Sequence, residues 1–149
     1  MKLEHFATLE DIQILHPKSF KDSRGILVPL HPMKEIPFSI ARVFYISGSQ
    51  KGVRRGAHAH KRCHQSLFCP QGDIELTVDD GYEIKKFTLN DPTIGIYIPP
   101  ALWSSQRYVS DHSWLIVFAN LPYDENEYLR DYSEFLQFRG IPQKRAASF

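Results

Sequence analysis

Apolar and polar positions alternate over short runs along most of the chain, and turn-forming residues separate the runs. In DIELTV (73–78), Ile74, Leu76 and Val78 share one face while Asp73, Glu75 and Thr77 share the other, the pattern of a half-buried strand. IQILHP (12–17), ILVPL (26–30), FSIARVFYI (38–46) and TIGIYIPP (93–100) read as further extended segments. SFKDSRG (19–25) reads as a polar turn, HPMKEIP (31–37) as a loop and SGSQKGVRRG (47–56) as a flexible connection. Asp80-Gly81 predicts a two-residue hairpin turn into YEIKKFTL (82–89), where the apolar parity slips between Ile84 and Phe87 and predicts a bulge near Lys85 and Lys86. HSWLIVFA (112–119) is apolar on both faces, which places it inside a sandwich or at a subunit interface.

The end of the chain changes period. Tyr128, Tyr132, Phe135 and Leu136 fall at helical spacing, and Asp124 with Glu127 resembles a capping box. One helix over 125–138 is expected, followed by a frayed tail from Gly140. Many short strands and one terminal helix exclude a doubly wound α/β fold. Closure into a β barrel would hide the sheet edges, and residues 1–149 read as one domain of that kind.

Composition narrows the partners. Lys plus Arg is 18 and Asp plus Glu is 17, giving a net charge of +1, so no polyanion such as nucleic acid is expected. No run is apolar enough to span a membrane, and a cytoplasmic location is expected. Cys63 and Cys69 lack the spacing of a redox pair and read as buried or half-buried thiols.

The chemistry concentrates in AHAHKRCHQ (57–65). His58 and His60, two apart on a strand, point to one face, and His64 shares their parity if no bulge intervenes, so three imidazoles would converge in one cavity. Such a cluster is open to three readings: polar surface, a metal site, or metal-free acid–base chemistry. Arg54, Arg55, Lys61 and Arg62 around it favour an anionic ligand over a divalent cation.

Several segments together resemble the bacterial sugar-nucleotide 3,4-ketoisomerases of the cupin superfamily, which act on dTDP-4-keto-6-deoxyglucose. They are DSRG (22–25), IPFSIARVFYI (36–46), RGAHAHK (55–61) with Gln65, VDDG (78–81), LNDPTIGIYIPPALW (89–103) and YDENEYLRDYSEF (123–135). The resemblance implies a mainly β, cupin-type double-stranded β-helix (jelly-roll) barrel with a C-terminal helix. It also implies a homodimer with strand exchange and no cofactor or metal. The substrate would be a dTDP-linked 4-keto-6-deoxy sugar, and the 3-keto product would pass to an aminotransferase making amino sugars for polysaccharide or glycosides.

Against the broader cupin metal pattern, Gln65 or His64 stands where a Glu ligand is expected, and Ser104 where a later His is expected. Ser104 also departs from the ketoisomerases, which usually carry His after the tryptophan. By position, His60 is expected to be the principal base or proton shuttle and His58 its partner. Arg42, Arg24, Tyr45, Arg55, Lys61, Gln65, Tyr97 and Trp103 are the expected substrate contacts. An epimerase of related fold and a noncatalytic sugar-nucleotide binder are the alternative functions.

Overall fold

The computed structural model describes residues 5–143. Its strands are β1 (Gln13–Leu15), β2 (Phe20–Asp22), β3 (Gly25–Leu27), β4 (Arg42–Ser49), β5 (Arg54–His60), β6 (Gln65–Gln71), β7 (Ile74–Asp79), β8 (Ile84–Leu89), β9 (Gly95–Ile98), β10 (Trp103–Tyr108), β11 (Ser113–Ala119) and β12 (Tyr128–Leu129). One helix, α1 (Tyr132–Phe138), follows. The strands form two antiparallel five-stranded sheets, ordered β1-β9-β6-β11-β4 and β12-β5-β10-β7-β8, and a separate β2-β3 ribbon.

The alternation seen in the sequence builds the main core. Ile74, Leu76 and Val78 of β7 are fully buried and pack with Leu67 of β6, Ile96 of β9, and Leu115 and Val117 of β11. Both sheets therefore contribute inward faces to one core, an arrangement consistent with a cupin-like fold. Ala59 of β5 faces the opposite way, into a smaller cluster with Leu129, Phe135 and Leu136 that seats α1 against the second sheet. No helix among the described residues is long and apolar enough to cross a membrane.

Several expected elements differ. The predicted helix over 125–138 is three pieces: a 3-10 turn at Glu125–Glu127, the strand β12, and α1. Asp131 is the cap of α1, accepting from the Ser133 and Glu134 amides at 2.8 and 3.2 Å. Tyr128 matches the helical spacing only by coincidence, because pairing with β5 draws it into a sheet. The tail does not fray at Gly140: Ile141 is buried and its amide donates to the Leu136 carbonyl at 2.8 Å. Residues 144–149 of that tail lie outside the described residues.

The bulge expected near Lys85 is absent. β8 pairs with β7 in unbroken register from Asp79↔Ile84 to Ile74↔Leu89, and Ile84 is simply an exposed apolar residue. The Asp80-Gly81 turn is longer than two residues: Asp80 Oδ1 accepts from the amides of Tyr82 and Glu83, and β8 resumes at Ile84. The flexible connection at 47–56 is instead mostly strand, the end of β4 and the start of β5. SFKDSRG (19–25) is a hairpin whose first arm is β2. Cys63 and Cys69 are buried free thiols, and burial pushes the Cys69 thiol up to about 11.

Candidate active site

Between the two sheets lies a cavity of about 340 Å3, of small-ligand size. Phe44, Ile46, Leu67 and Leu115 supply apolar walls, and Arg55, His58, Gln65, Gln106, Tyr128 and Arg130 supply polar groups. A larger cleft, about 960 Å3, runs along the outside past Asp11, Lys61, His64 and Tyr97. It contains neither His58 nor His60, so size does not mark the chemistry.

The histidine pair is aimed by a kink in β5. Gly56 and Ala57 both have positive φ, 82° and 61°, and the pairing with β10 shifts between Ser104↔His58 and Ser105↔Gly56. The extra residue is a bulge that turns the strand after Arg55. Beyond it, His58 and His60 lie on one face as their spacing requires, with ring centroids 5.0 Å apart and nearly perpendicular. His58 lines the cavity; His60 packs beside it and is only 6% exposed.

Neither nitrogen of His60 has a hydrogen-bond partner among the described residues, nor does Nδ1 of His58. Burial, with His58, Arg42 and Arg130 nearby, pushes His60 down to about 3. Burial and Arg130 likewise lower His58. Both rings are neutral at physiological pH, and burial beside Arg42 and Arg130 makes His60 a weak base in the absence of an anion to offset those cations. Among the described residues, no group of three or more His, Cys, Asp or Glu side chains is placed to hold a metal ion.

Arg42 and Gln65 reach the same region. Arg42 sits on β4 opposite Ala119; its Nη2 donates to the Tyr128 hydroxyl at 3.5 Å, and its buried Nε is unpartnered. Gln65 opens β6 and lines the cavity, as does Arg55 from β5.

Other expected contacts are placed elsewhere. Tyr45 is on the outer face of β4, 64% exposed and stacked on Trp114 at 5.6 Å. Trp103 packs against Tyr132 and Phe135 at the α1 side of the second sheet. Tyr97 and Lys61 line the outer cleft, and Arg24 sits at the ribbon turn, paired with Asp22 at 2.6 Å. His64 does not join the other imidazoles. The loop after His60 breaks the parity, and the His64 ring stacks on Tyr97 outside the sheet, with Nδ1 2.7 Å from the Tyr97 hydroxyl.

The sequence reading missed the cavity's rim. Tyr128 stands opposite His60 in the β12–β5 pairing. Arg130 holds its guanidinium 4.4 Å from the Tyr128 ring centroid and donates to Glu125 at 2.6 and 3.0 Å. Tyr123 donates to the same carboxylate at 2.5 Å, and Arg130 with Tyr123 holds Glu125 at about 2. Glu127, buried, accepts from Arg62 Nε and from the Arg62 and Cys63 amides at 2.9, 2.8 and 3.1 Å, fastening β12 to the loop after His60. Tyr123, Glu125, Glu127, Tyr128 and Arg130 all fall inside the YDENEYLRDY segment, which was the available signal.

The chain is 39% identical over 126 residues to TDP-4-oxo-6-deoxy-alpha-D-glucose-3,4-oxoisomerase from Aneurinibacillus thermoaerophilus, covering 85% of this chain and 91% of that protein. A 3,4-ketoisomerase from Helicobacter canadensis is 42% identical, with a TM-score of 0.84 over 87% of this chain and 98% of the other. A mutant of the 3,4-ketoisomerase QdtA from Thermoanaerobacterium thermosaccharolyticum, solved in complex with TDP-4-keto-6-deoxyglucose, is 34% identical. It aligns with a TM-score of 0.84 over 87% of this chain and 94% of the other. The family model described as "FdtA: WxcM-like, C-terminal" matches residues 10–140, and the chain belongs to this family of sugar-nucleotide 3,4-ketoisomerases.

Proposed function

We propose that this enzyme converts a dTDP-4-keto-6-deoxyhexose to the 3-keto isomer by histidine-mediated proton transfer through an enediol. The observation that carries the proposal is the His58–His60 pair: His60 neutral, buried and without a hydrogen-bond partner among the described residues, and His58 partly buried beside it on the wall of a half-open cavity.

The C3 hydrogen of such a sugar is acidic because the C4 carbonyl delocalises the resulting carbanion. His60, as principal base, takes that proton while the C4 oxygen gains one, which gives the enediol. A proton then returns to C4, and the C3 hydroxyl loses its own to become the ketone. Hydrogen has moved from C3 to C4 with no net change in oxidation state. His58, on the cavity wall, relays the proton or donates to the oxygen. Arg42, Arg55 and Arg130 are proposed to meet the diphosphate, supported by Arg55 and Arg130 lining the cavity and by Arg42 reaching the Tyr128 hydroxyl. An anionic diphosphate near Arg42 and Arg130 would offset two cations that weaken His60 as a base. Gln65 is proposed to bond the sugar.

The finer architecture belongs to the same reading: one domain, a closed double-stranded β-helix barrel, a cytoplasmic location and a homodimer. The dimer is supported by apolar side chains left in solvent, namely Phe20, Ile26 and Leu27 of the ribbon, 51%, 43% and 61% exposed, and Tyr45 with Trp114 on the outer sheet. Tyr45, Tyr97, Trp103, Lys61 and Arg24 have no place at their own chain's cavity, and no contact to substrate is proposed for them.

The test is product NMR with His60→Asn and His58→Asn in parallel. General acid–base catalysis is worth about 100- to 10,000-fold. The His60 variant should lose at least about 100-fold in turnover while binding of the nucleotide by calorimetry changes little. A folded His60→Asn protein that isomerises at the wild-type rate would remove His60 from the role of base.

A further inference from the structure

Catalytic imidazoles are usually oriented by a carboxylate or carbonyl on the second ring nitrogen, which also fixes the tautomer. That partner is missing here, since both nitrogens of His60 are unpartnered among the described residues. Yet the ring is buried between elements that leave it little room.

We propose that Tyr128 is the positioning residue of the histidine pair: its ring, in place of a carboxylate, fixes the planes of His60 and His58 and leaves the tautomer of His60 free. The proposal rests on the reading of the pair as the proton-transfer groups.

The geometry is a cluster of tilted and edge-on rings held from both sides. The Tyr128 ring centroid is 4.5 Å from that of His60 and 5.0 Å from that of His58, inclined at 57° and 69°. The Arg130 guanidinium covers the same ring at 4.4 Å, and Glu125 holds that guanidinium through two hydrogen bonds. Arg42 reaches the Tyr128 hydroxyl. Backbone pairing of Tyr128 with His60, and of Leu129 with Ala59, sets the register, and Glu127 secures it at the next residue. Tyr128 can neither slide along β5 nor swing from the cavity without breaking these contacts.

Ring packing differs from a carboxylate in one respect. It restricts the plane of an imidazole without choosing which nitrogen carries the proton. A base that takes a proton at one carbon and serves its neighbour gains from that freedom. The groups facing His60 are His58 on its own strand, Arg42 from β4, and Tyr128 and Arg130 from around β12, while Glu125 acts on His58. Both arginines work against protonation, and the Tyr128 ring keeps water from offsetting them.

The test uses Tyr128→Phe and Tyr128→Leu with two readouts. Phe keeps the ring, and kcat should stay within about threefold of wild type. Leu removes it, and misorientation of the pair should lower kcat at least about tenfold with little change in KM. Water reaching the imidazoles should also move the acidic limb of the kcat/KM profile up, toward the ordinary histidine value. A folded Leu variant with wild-type kcat and an unmoved acidic limb would overturn the proposal. So would a Phe variant as impaired as the Leu variant, because the hydroxyl would then matter and not the ring. Should Tyr128→Leu fail to fold, nitrogen-15 NMR of the wild-type His60 ring at neutral pH decides. Both tautomers populated is the expected result, and one fixed tautomer overturns the proposal. This arm needs no substrate, so it reads out even if the ketoisomerase assay fails.

Discussion

A histidine that refuses a proton in the folded state ties stability to pH. His60 is pushed to about 3 from an ordinary 6.5, first by burial and then by His58, Arg42 and Arg130. Below pH 6.5 the unfolded chain binds a proton that the folded chain does not, so the fold loses about 1.4 kcal/mol per pH unit, or about 2 kcal/mol by pH 5. Above 6.5 the contribution is flat. His58 and His64 are also lowered and act in the same direction. Glu125 and Glu127, held below their ordinary 4.5, withdraw their support only at lower pH, so the interval from 6.5 to 5 belongs to the histidines. Urea midpoints should therefore fall from pH 7 to pH 5, and His60→Asn should shrink that fall. An undiminished fall in the variant would show that His60 takes up its proton in the folded state. At this scale the sequence was most legible where geometry is local. Two histidines at strand spacing share a face whatever the rest of the fold does, whereas Tyr45, Tyr97 and Trp103 could be assigned to a wall only by knowing which face of each sheet is the inner one.

The strands carry the next level of information, and their irregularities matter more than their regular stretches. Gly56 combines a φ of 82° with close approach of β10: an added Cβ would stand 2.9 Å from Gln106 Oε1 and 3.2 Å from the Ser104 carbonyl. Gly48 has a similar φ of 76° but open space around it. Ala at either site meets the left-handed backbone penalty of about 1–2 kcal/mol. Gly56→Ala should cost more than Gly48→Ala in denaturant unfolding, and it alone should lower turnover by shifting His58. Equal losses would show that Gln106 moves aside freely. The alternating pattern of β7 was readable because burial leaves its period in the sequence, whereas β11 buries Leu115, Val117 and Ala119 and leaves Trp114 exposed and Ile116 and Phe118 half-buried on its other apolar face. β10 was not anticipated: WSSQRY is mostly polar yet central to its sheet, between β5 and β7, with Ser104 and Gln106 buried. The C-terminal segment misled for the opposite reason. Tyr128 fits a helical stripe with Tyr132 and Phe135, and only pairing with β5, distant in sequence, makes it a strand residue.

For the whole molecule, the ribbon that stands apart from both sheets is the feature a lone chain explains least. Its exposed Phe20, Ile26 and Leu27 leave apolar surface in water, a cost that a second copy would remove. Sedimentation at micromolar concentration should give a dimer, and Leu27→Glu with Ile26→Glu should shift it toward monomer. A wild-type monomer at that concentration would contradict this. The pairing pattern also has a consequence for how the chain comes to be folded. Among the described residues only β2–β3 and β7–β8 join neighbours in sequence, and neither borders the cavity except through the main core. Around the cavity, Arg42 pairs with Ala119, Gln65 with Ala119, His58 with Ser104 and His60 with Tyr128. Each such pairing closes a long loop before it returns any stabilisation, which places this topology among slow folders. A chain emerging from the ribosome can form the β7–β8 hairpin early, but it holds no cavity until its last strand is released, so catalysis and completed folding should arrive together.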